Sequence, residues 1–514
     1  MESSSQFQAP AILGYLLLLV FFLLKMRRNP PKPTFAAAAP PHPPKLPIIG
    51  NLHQLAGSSL PHRRFPDLSN QYGAVLGLQL GQIPFVVISS AESAEQILKT
   101  HDVVFANRPF SLAAQILTYD FTDIIFSPYG AYWRQLRKIC ALELLNPSRV
   151  QSFGSIRSEE ISNSMGRVSV SAGQEFNFSE MVFSLTAGIV SRVAFGKKYR
   201  GHDEFVPVME EMARISGAFS LADLFPSVKL LQVMSGMRSQ LLRLRNEADR
   251  MMGGIISDHR ERQSTADRGS DEVDDLVDVL LKLQAGGGLE VPLSDDNIKA
   301  VILDVFIAGS DTSAIIMDWA MSEMIKNPRI LQQAQSEVRR VFKLKGDVDV
   351  TQLHELYYLQ SVIKETLRLH PPGPLLIPRE CGEDCEIDGF QVMAKEKVIV
   401  NIWAIARDPK YWTDPDEFRP ERFINNPIDF KGSNFEFLPF GSGRRICPGI
   451  AFSMANIELS LAKFLYHFDW KLPSDVKIEN LDMTELYGFA VRKKHNLTLI
   501  PIPYTQALGS SFSS

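Results

Sequence analysis

Ten residues late in the chain, FGSGRRICPG from Phe440 to Gly449, hold three glycines, a proline, two adjacent arginines and one thiol, Cys447. A thiol in such company has four readings: metal ligand, nucleophile, part of a phosphate loop, or an ordinary buried side chain. A dinucleotide loop needs G-x-G-x-x-G, and after Gly441 and Gly443 the third glycine is replaced by Ile446. Zinc needs four nitrogen or sulfur ligands, and no C-x-x-C or H-x-x-x-H lies nearby; Cys381 and Cys385 of CGEDC read as loop thiols. A nucleophilic cysteine needs a base, and the segment holds no histidine, although one could arrive through space. A plain buried thiol leaves the glycines and arginines unexplained.

A thiolate bound to haem iron accounts for all of them. Glycine lets a loop bring its backbone against a flat macrocycle. Backbone N–H groups and the start of a following helix favour the thiolate. An arginine can pair with a haem propionate. A thiolate ligand also pushes electron density onto iron and favours O–O cleavage.

The elements that must position such a loop are legible around it. From Leu293, LSDDNIKAVILDVFIAGSDTSAIIMDWAMSEMIKNP predicts one long helix, with Ser294 as N-cap and Asn327-Pro328 as its stop. It would run about 50 Å and, apolar over most of its circumference, be buried. Its middle, Ala308 to Ser313, breaks the pattern. Gly309 costs about 1 kcal/mol against alanine in a helix interior. Asp311 and Thr312 put a carboxylate and a hydroxyl at core depth, where a polar group needs a partner. Two readings stand: a kinked helix with a satisfied threonine, or a widened groove beside a ligand where both groups hold water and pass protons. In SVIKETLRLHPPGP, Glu365 and Arg368 share a helical face, and the helix should end near His370, before Pro371-Pro372. Flanking leucines and valine predict partial burial, so the arginine needs a further acceptor. FRPERF, Phe418 to Phe423, adds Arg419, Glu421 and Arg422 in a loop near the thiol segment.

The chain of 514 residues is 45% hydrophobic and 22% charged with net charge −4, which gives no basic footprint, so no nucleic-acid partner is expected. Four cysteines are too few for a disulfide framework. Residues 9–24, APAILGYLLLLVFFLL, are uncharged and with their flanks approach the roughly 20 residues of a bilayer-spanning helix. Glu2 precedes them and Lys25, Arg27 and Arg28 follow, which places the N-terminus in the lumen and the body in the cytosol. A cleaved signal wants positive charge before its apolar run, so the expectation is an uncleaved anchor over residues 1–28. The sequons at Asn177 and Asn496 would then stay unused. A stiff Pro-rich hinge is expected over residues 29–50, the body over 51–505 and a flexible tail over 506–514. AVLGLQLGQIPFVVISS, Ala74 to Ser90, reads as a hairpin turning at Gly81-Gln82-Ile83-Pro84. Short strands are expected at 386–392, 398–402 and 496–500, with helices over most of the rest. The fold class is mainly α with a small β component, in a single large domain.

Together these segments resemble the cytochrome P-450 family, the haem-thiolate monooxygenases. Phe440, Gly443, Arg445, Cys447 and Gly449 fit its F-x-x-G-x-R-x-C-x-G loop; Ala308, Gly309, Asp311 and Thr312 fit A/G-G-x-D/E-T. Glu365 and Arg368 fit E-x-x-R, Phe418 to Phe423 its PERF segment, and PPKLPIIGNLHQL the hinge of its microsomal members. The motifs fall in order over nearly the whole chain. The resemblance implies the cytochrome P-450 fold and haem b held by Cys447, with its propionates met by Arg445, Trp133, Arg137 and Arg379. It implies proton delivery by Asp311 and Thr312, and a structural triad of Glu365, Arg368 and Arg422. One oxygen atom of O2 would enter the substrate and the other would leave as water. Electrons would come from NADPH through a membrane-bound NADPH-cytochrome P-450 reductase, with cytochrome b5 as a second donor; the chain has no flavin or NADPH motif of its own. The location implied is the endoplasmic-reticulum membrane, single-pass, with the body facing the cytosol. The wording most resembles plant microsomal members that act on terpenoids. Substrate contacts would come from residues 111–126, Val305, Ala308, Leu375, Leu376, Ile377 and Phe489. Such a lining suits a diterpene or sesquiterpene, with phenylpropanoid, flavonoid or alkaloid substrates as the alternative.

Overall fold

Alternating apolar residues on either side of a tight turn make the first sheet. β1 (Val75–Leu80) and β2 (Ile83–Ile88) pair antiparallel, with Leu80 opposite Ile83. The computed structural model describes residues 37–57, 60–196, 202–217, 220–229, 231, 235–264 and 274–504. The turn in it is Gly81-Gln82 alone, shorter than the four residues expected, because Ile83 and Pro84 already belong to β2. Pro84 is tolerated there: the second neighbour of β2 pairs only from Phe85 onward. That neighbour comes from far along the chain. β3 (Arg379–Glu380) and β4 (Lys397–Val400) complete the sheet in the order β1–β2–β4–β3, with β4 parallel to β2. The expected strand at 386–392 is a small hairpin, Cys385–Ile387 with Phe390–Val392. Thr498–Pro503 runs between Phe176–Asn177 and Phe468–Lys471 in a third sheet.

From Ala39 onward the described residues form one body. The second half of the Pro-rich segment is packed onto it: the Pro41 carbonyl accepts from Gly77 N–H at 2.8 Å. The Asn51 side chain accepts from Gln79 N–H at 2.8 Å and donates to the Pro43 and Pro44 carbonyls. The expected anchor, the start of the hinge and the tail lie outside the described residues.

The helices that frame the site are α1 (Ala131–Ile139), α2 (Phe178–Phe195), α3 (Asp295–Lys326), α4 (Tyr357–Leu369) and α5 (Ile450–His467). α3 has the expected ends. Ser294 Oγ accepts from Asn297 N–H, and Asn297 Oδ1 accepts from Ser294 N–H, a reciprocal capping box. Pro328 opens the next helix, where its missing N–H costs nothing. The 32 residues of α3 span about 48 Å. α2 and α3 are long and apolar enough to cross a bilayer, yet both are core helices of the body. Side chains such as Phe178, Val190, Ile298 and Trp319 are fully buried and stabilise by about 1.5–3 kcal/mol each relative to exposure.

Against that background the polar middle of α3 is accommodated without a break. Thr312 Oγ1 donates to the Ala308 carbonyl at 2.7 Å, and Ser310 Oγ donates to the Phe306 carbonyl. Each hydroxyl is satisfied by its own preceding turn. Gly309 is a packing position: a Cβ there would lie 3.3 Å from Val190 Cγ2 of α2 and 3.7 Å from Phe452 Cε1 of α5. The missing side chain lets both helices close on α3.

Candidate active site

The thiol loop runs directly into α5. Cys447 N–H donates to the Phe440 carbonyl at 3.0 Å, and Gly449 N–H points at Cys447 Sγ at 3.4 Å. Removal from bulk water pushes the thiol up; the Gly449 N–H and Arg137 pull it the other way. Gly443 fixes the turn ahead of it. Its φ is 72°, and a Cβ would sit 2.1 Å from the Leu98 carbonyl oxygen and 2.7 Å from Asp102 Oδ1. Any other residue would be strained and would collide. Gly443 therefore shapes the loop from behind and does not reach the cavity.

Cys447 opens onto a cavity of about 270 Å³. The thiol loop contributes Phe440, Arg445 and Gly449 to its wall, and α3 contributes Val305, Ala308, Gly309 and Thr312. Trp133 and Arg137 reach it from α1, and Arg379 from β3. Leu376, Ile377 and Phe489 make an apolar side with Val305.

Like Gly443, the expected residues Leu375 and Asp311 do not join them. Leu375 is buried with Leu76, Val87 and Ile399 in the cluster on the β1–β2 sheet. Leu375 and Leu376 lie in a turn, where Leu376 N–H donates to the Gly373 carbonyl at 2.9 Å and Leu376 has a φ of 50°, and the turn sends Leu376 to the cavity and Leu375 to the sheet. Asp311 lies about 100° around the helix from Thr312. It lines a narrow pocket beside Ser310 and Glu210, the latter from the helix His202–Ser216. Burial and the nearby Glu210 push its carboxyl up to about 6.

Cations dominate the cavity wall. Arg445 stacks over the Trp133 ring at 4.2 Å and donates from Nε to the Ala106 carbonyl at 2.8 Å. The Trp133 indole N–H donates to the Ile124 carbonyl at 3.0 Å. Arg379 pairs with Asp102 at 3.3 Å and donates to the Ser442 carbonyl at 3.2 Å. Arg108 donates to the carbonyls of Ile377 at 2.6 Å and Ile125 at 3.0 Å. With Arg137 these make four guanidiniums among the described residues, against a single lining carboxyl, Asp304. Burial, reinforced by Arg379, pushes Arg445 down to about 9. Such an excess of desolvated positive charge calls for an anionic ligand.

Arg108 and Asp304 belong to no sequence motif, and both were missed from the sequence. Asp304 had a signal: it lies four residues before Ala308 and eight before Thr312, on the same helical stripe. Arg108 had none, since its place depends on a loop that returns from elsewhere.

The donor set fits haem. Among the described residues no histidine lines the cavity, so Cys447 and the second lining thiol, Cys140, fall short of a four-ligand metal site. Burial pushes the Cys140 thiol up to about 12, which keeps it neutral. One available sulfur can complete the coordination of an iron already held by a macrocycle. Apolar walls suit the ring, and the arginines suit its propionates.

Away from the cavity, Glu365, Arg368 and Arg422 come together. Arg368 grips Glu365 with two hydrogen bonds of 2.8 and 2.9 Å, and Arg422 Nε donates to the same carboxylate at 2.9 Å. Arg419 N–H adds a fourth at 2.8 Å. The remaining Arg368 donors reach the carbonyls of Ala406, Pro415 and Glu417.

Known proteins place this architecture. A family model for cytochrome P-450 matches residues 40–500. Desmethyl-deoxy-podophyllotoxin synthase of Sinopodophyllum hexandrum is 51% identical over 460 residues, 89% of this chain and 90% of that protein. Salviol synthase of Salvia pomifera is 50% identical over 459 residues, again 89% and 90%. A solved structure of a zebra fish cytochrome P-450 with progesterone matches with a TM-score of 0.75, over 87% of this chain and 100% of its own, at 24% identity. That likeness concerns the fold alone. Members of the family bind haem through a cysteine thiolate and act on small molecules with O2 and a redox partner. With the family model spanning nearly the whole body and half the residues shared with these plant enzymes, the chain belongs to the cytochrome P-450 family and is a haem-thiolate monooxygenase of specialised metabolism.

Proposed function

We propose that this monooxygenase hydroxylates or otherwise oxidises a terpenoid of sesquiterpene or diterpene size. One observation carries the reading. The polar side chains nearest the apolar wall are already engaged: Arg108 with main-chain carbonyls, Asp304 with the N–H groups of Ile124 and Ile125. Val305, Leu376, Ile377 and Phe489 are left to hold the substrate by burial, at about 25 cal/mol per Å². The alternative substrates, phenylpropanoids, flavonoids or alkaloids, would ask for a free hydrogen-bonding partner there.

Haem, when bound, supplies the activation of O2. Cys447 presents the sulfur, and the Gly449 N–H stabilises negative charge on it. Phe440 and Gly449 shape the loop's contact with the ring. Arg445, Arg137 and Arg379 neutralise the propionates, with the Trp133 ring backing Arg445. Thr312 holds its hydroxyl in the cavity and passes a proton there, with the small side chain of Ala308 beside it on the wall. Asp311, on the adjoining face of α3, exchanges protons with water. Glu365, Arg368 and Arg422 are structural. Electrons come from NADPH through a membrane-bound reductase, with cytochrome b5 as a second donor, and the N-terminal anchor holds the enzyme to the endoplasmic reticulum with its body in the cytosol. Arg444, half exposed beside Asp102, faces that electron donor.

The test is a product screen. Microsomes holding the enzyme and reductase are given NADPH with terpene scaffolds, phenolics or alkaloids, and products are read by mass spectrometry. Turnover of terpenes is expected; turnover of phenolics or alkaloids alone would reject the terpenoid assignment. On the accepted substrate, Thr312→Ala should keep consuming NADPH while product per NADPH falls at least about tenfold, since a positioned proton donor contributes about 10²–10⁴-fold. Unchanged coupling would remove Thr312 from proton delivery.

A further inference from the structure

Asp123 and Asp304 are two buried carboxyls beside the cavity arginines, Asp304 itself on the cavity wall. Asp304 stands on α3 one turn before Ala308, and Asp123 sits in the loop that leads to α1. Asp304 Oδ2 accepts from the N–H groups of Ile124 and Ile125 at 2.8 and 3.0 Å. Asp123 Oδ2 accepts from Phe126 N–H at 2.9 Å. The two carboxyls are close enough for the charge of Asp123 to act on Asp304. Asp123 Oδ1 is buried with no hydrogen-bond partner among the described residues, so the approach of the two carboxyls is favourable only if one acid keeps a proton. Burial raises both acids, and the charge of Asp123 raises Asp304 further.

The carbonyls of the same loop face the cavity cations. The Ile124 carbonyl accepts from Trp133 Nε1 at 3.0 Å and from Arg445 Nη1 at 3.3 Å. The Ile125 carbonyl accepts from Arg108 Nε at 3.0 Å, and the Ser127 carbonyl from Arg445 Nη2 at 2.5 Å. Just upstream, Tyr119, Asp120 and Phe121 have φ of 53°, 60° and 61°, a region that side chains disfavour. Local preference does not hold this loop in place; hydrogen bonds do, among them those of Ile124 and Ile125 to Asp304 on α3 and of the Tyr132 hydroxyl to the Thr122 carbonyl.

We infer that Asp304, paired with Asp123, is a positioning residue: it fixes the main chain of residues 124–127 and through those carbonyls sets Arg445 and Trp133 against the haem propionates. The inference rests on the proposed reading of Arg445 as a propionate partner.

The experiment follows haem transfer from the purified holoprotein to excess apomyoglobin. Asp304→Ala should speed haem loss about tenfold, the worth of two lost hydrogen bonds to the loop. Asp304→Asn can accept from both N–H groups and donate to Asp123, so it should stay within about twofold of the parent. Arg445→Leu should also speed loss, and adding Asp304→Ala to it should change the rate little further. If Arg445→Leu alone changes nothing, the propionate assignment falls, and the positioning role falls with it. If Arg445→Leu speeds loss but Asp304→Ala does not, only the positioning role is overturned. That role is equally overturned if Asp304→Ala acts at full strength on top of Arg445→Leu, or if Asp304→Asn is as harmful as Asp304→Ala. Should Asp304→Ala not accumulate as holoprotein, Asp304→Glu displaces the loop by one methylene and should speed loss about threefold; an unchanged rate would overturn the role.

Discussion

Replacing Cys447 with serine is expected to take NADPH-dependent product formation to background while the body stays folded. The change swaps sulfur for oxygen at nearly constant volume, so packing around the loop is barely altered. The Phe440–Cys447 main-chain hydrogen bond and the turn at Gly443 do not involve the sulfur. What changes is the donor. A thiolate is soft and electron-rich, and its push onto iron favours O–O cleavage; a serine hydroxyl stays protonated at neutral pH and gives a weak, hard ligand. Product formation, NADPH oxidation and haem content of the purified variant check the outcome. Turnover near the parent rate would mean that the sulfur has no part in the chemistry.

Glu365→Leu should cost about 3–5 kcal/mol, as breaking a buried ion pair by removing one partner does. Glu365 and Arg368 are both 0% exposed, and Arg422 is 6% exposed. The substitution leaves two guanidiniums in the protein interior without their anion. It also removes the acceptor that holds Arg419 N–H, and so loosens the loop that carries Pro420 to Phe423. Domains are stable by about 5–15 kcal/mol in all, so yield of folded holoprotein should collapse or the melting temperature fall steeply. Removing the exposed Glu95–Lys99 pair, at 43% and 66% exposure, is the control and should cost under about 1 kcal/mol. Equal effects from the two would remove the triad from the structural role.

The site was legible where chemistry forces rare residues into one short segment. A thiol among glycines and arginines has few uses, and the caps of α3 are set by Ser294, Asn297 and Pro328, all local. Burial of the Glu365–Arg368 face followed from its leucine neighbours. What sequence did not reveal was which way adjacent residues turn. Asp311 and Thr312 are consecutive, yet a single step of about 100° around the helix sends them to different pockets. Leu375 and Leu376 also divide between the sheet cluster and the cavity. Strands of two residues such as β3 exist only because β4 lies beside them, so no local preference marks them. The arginine-rich wall depends on four separate segments meeting, which spacing along the chain does not encode.

The bond between Cys447 and haem iron is the centre of this enzyme's chemistry, and the absorption spectrum of the reduced protein under carbon monoxide reports on it directly. The parent should show the red-shifted band of thiolate-ligated ferrous haem, and Cys447→Ser should lose it. Retention of that band in the serine variant, or its absence from the haem-loaded parent, would contradict the assignment.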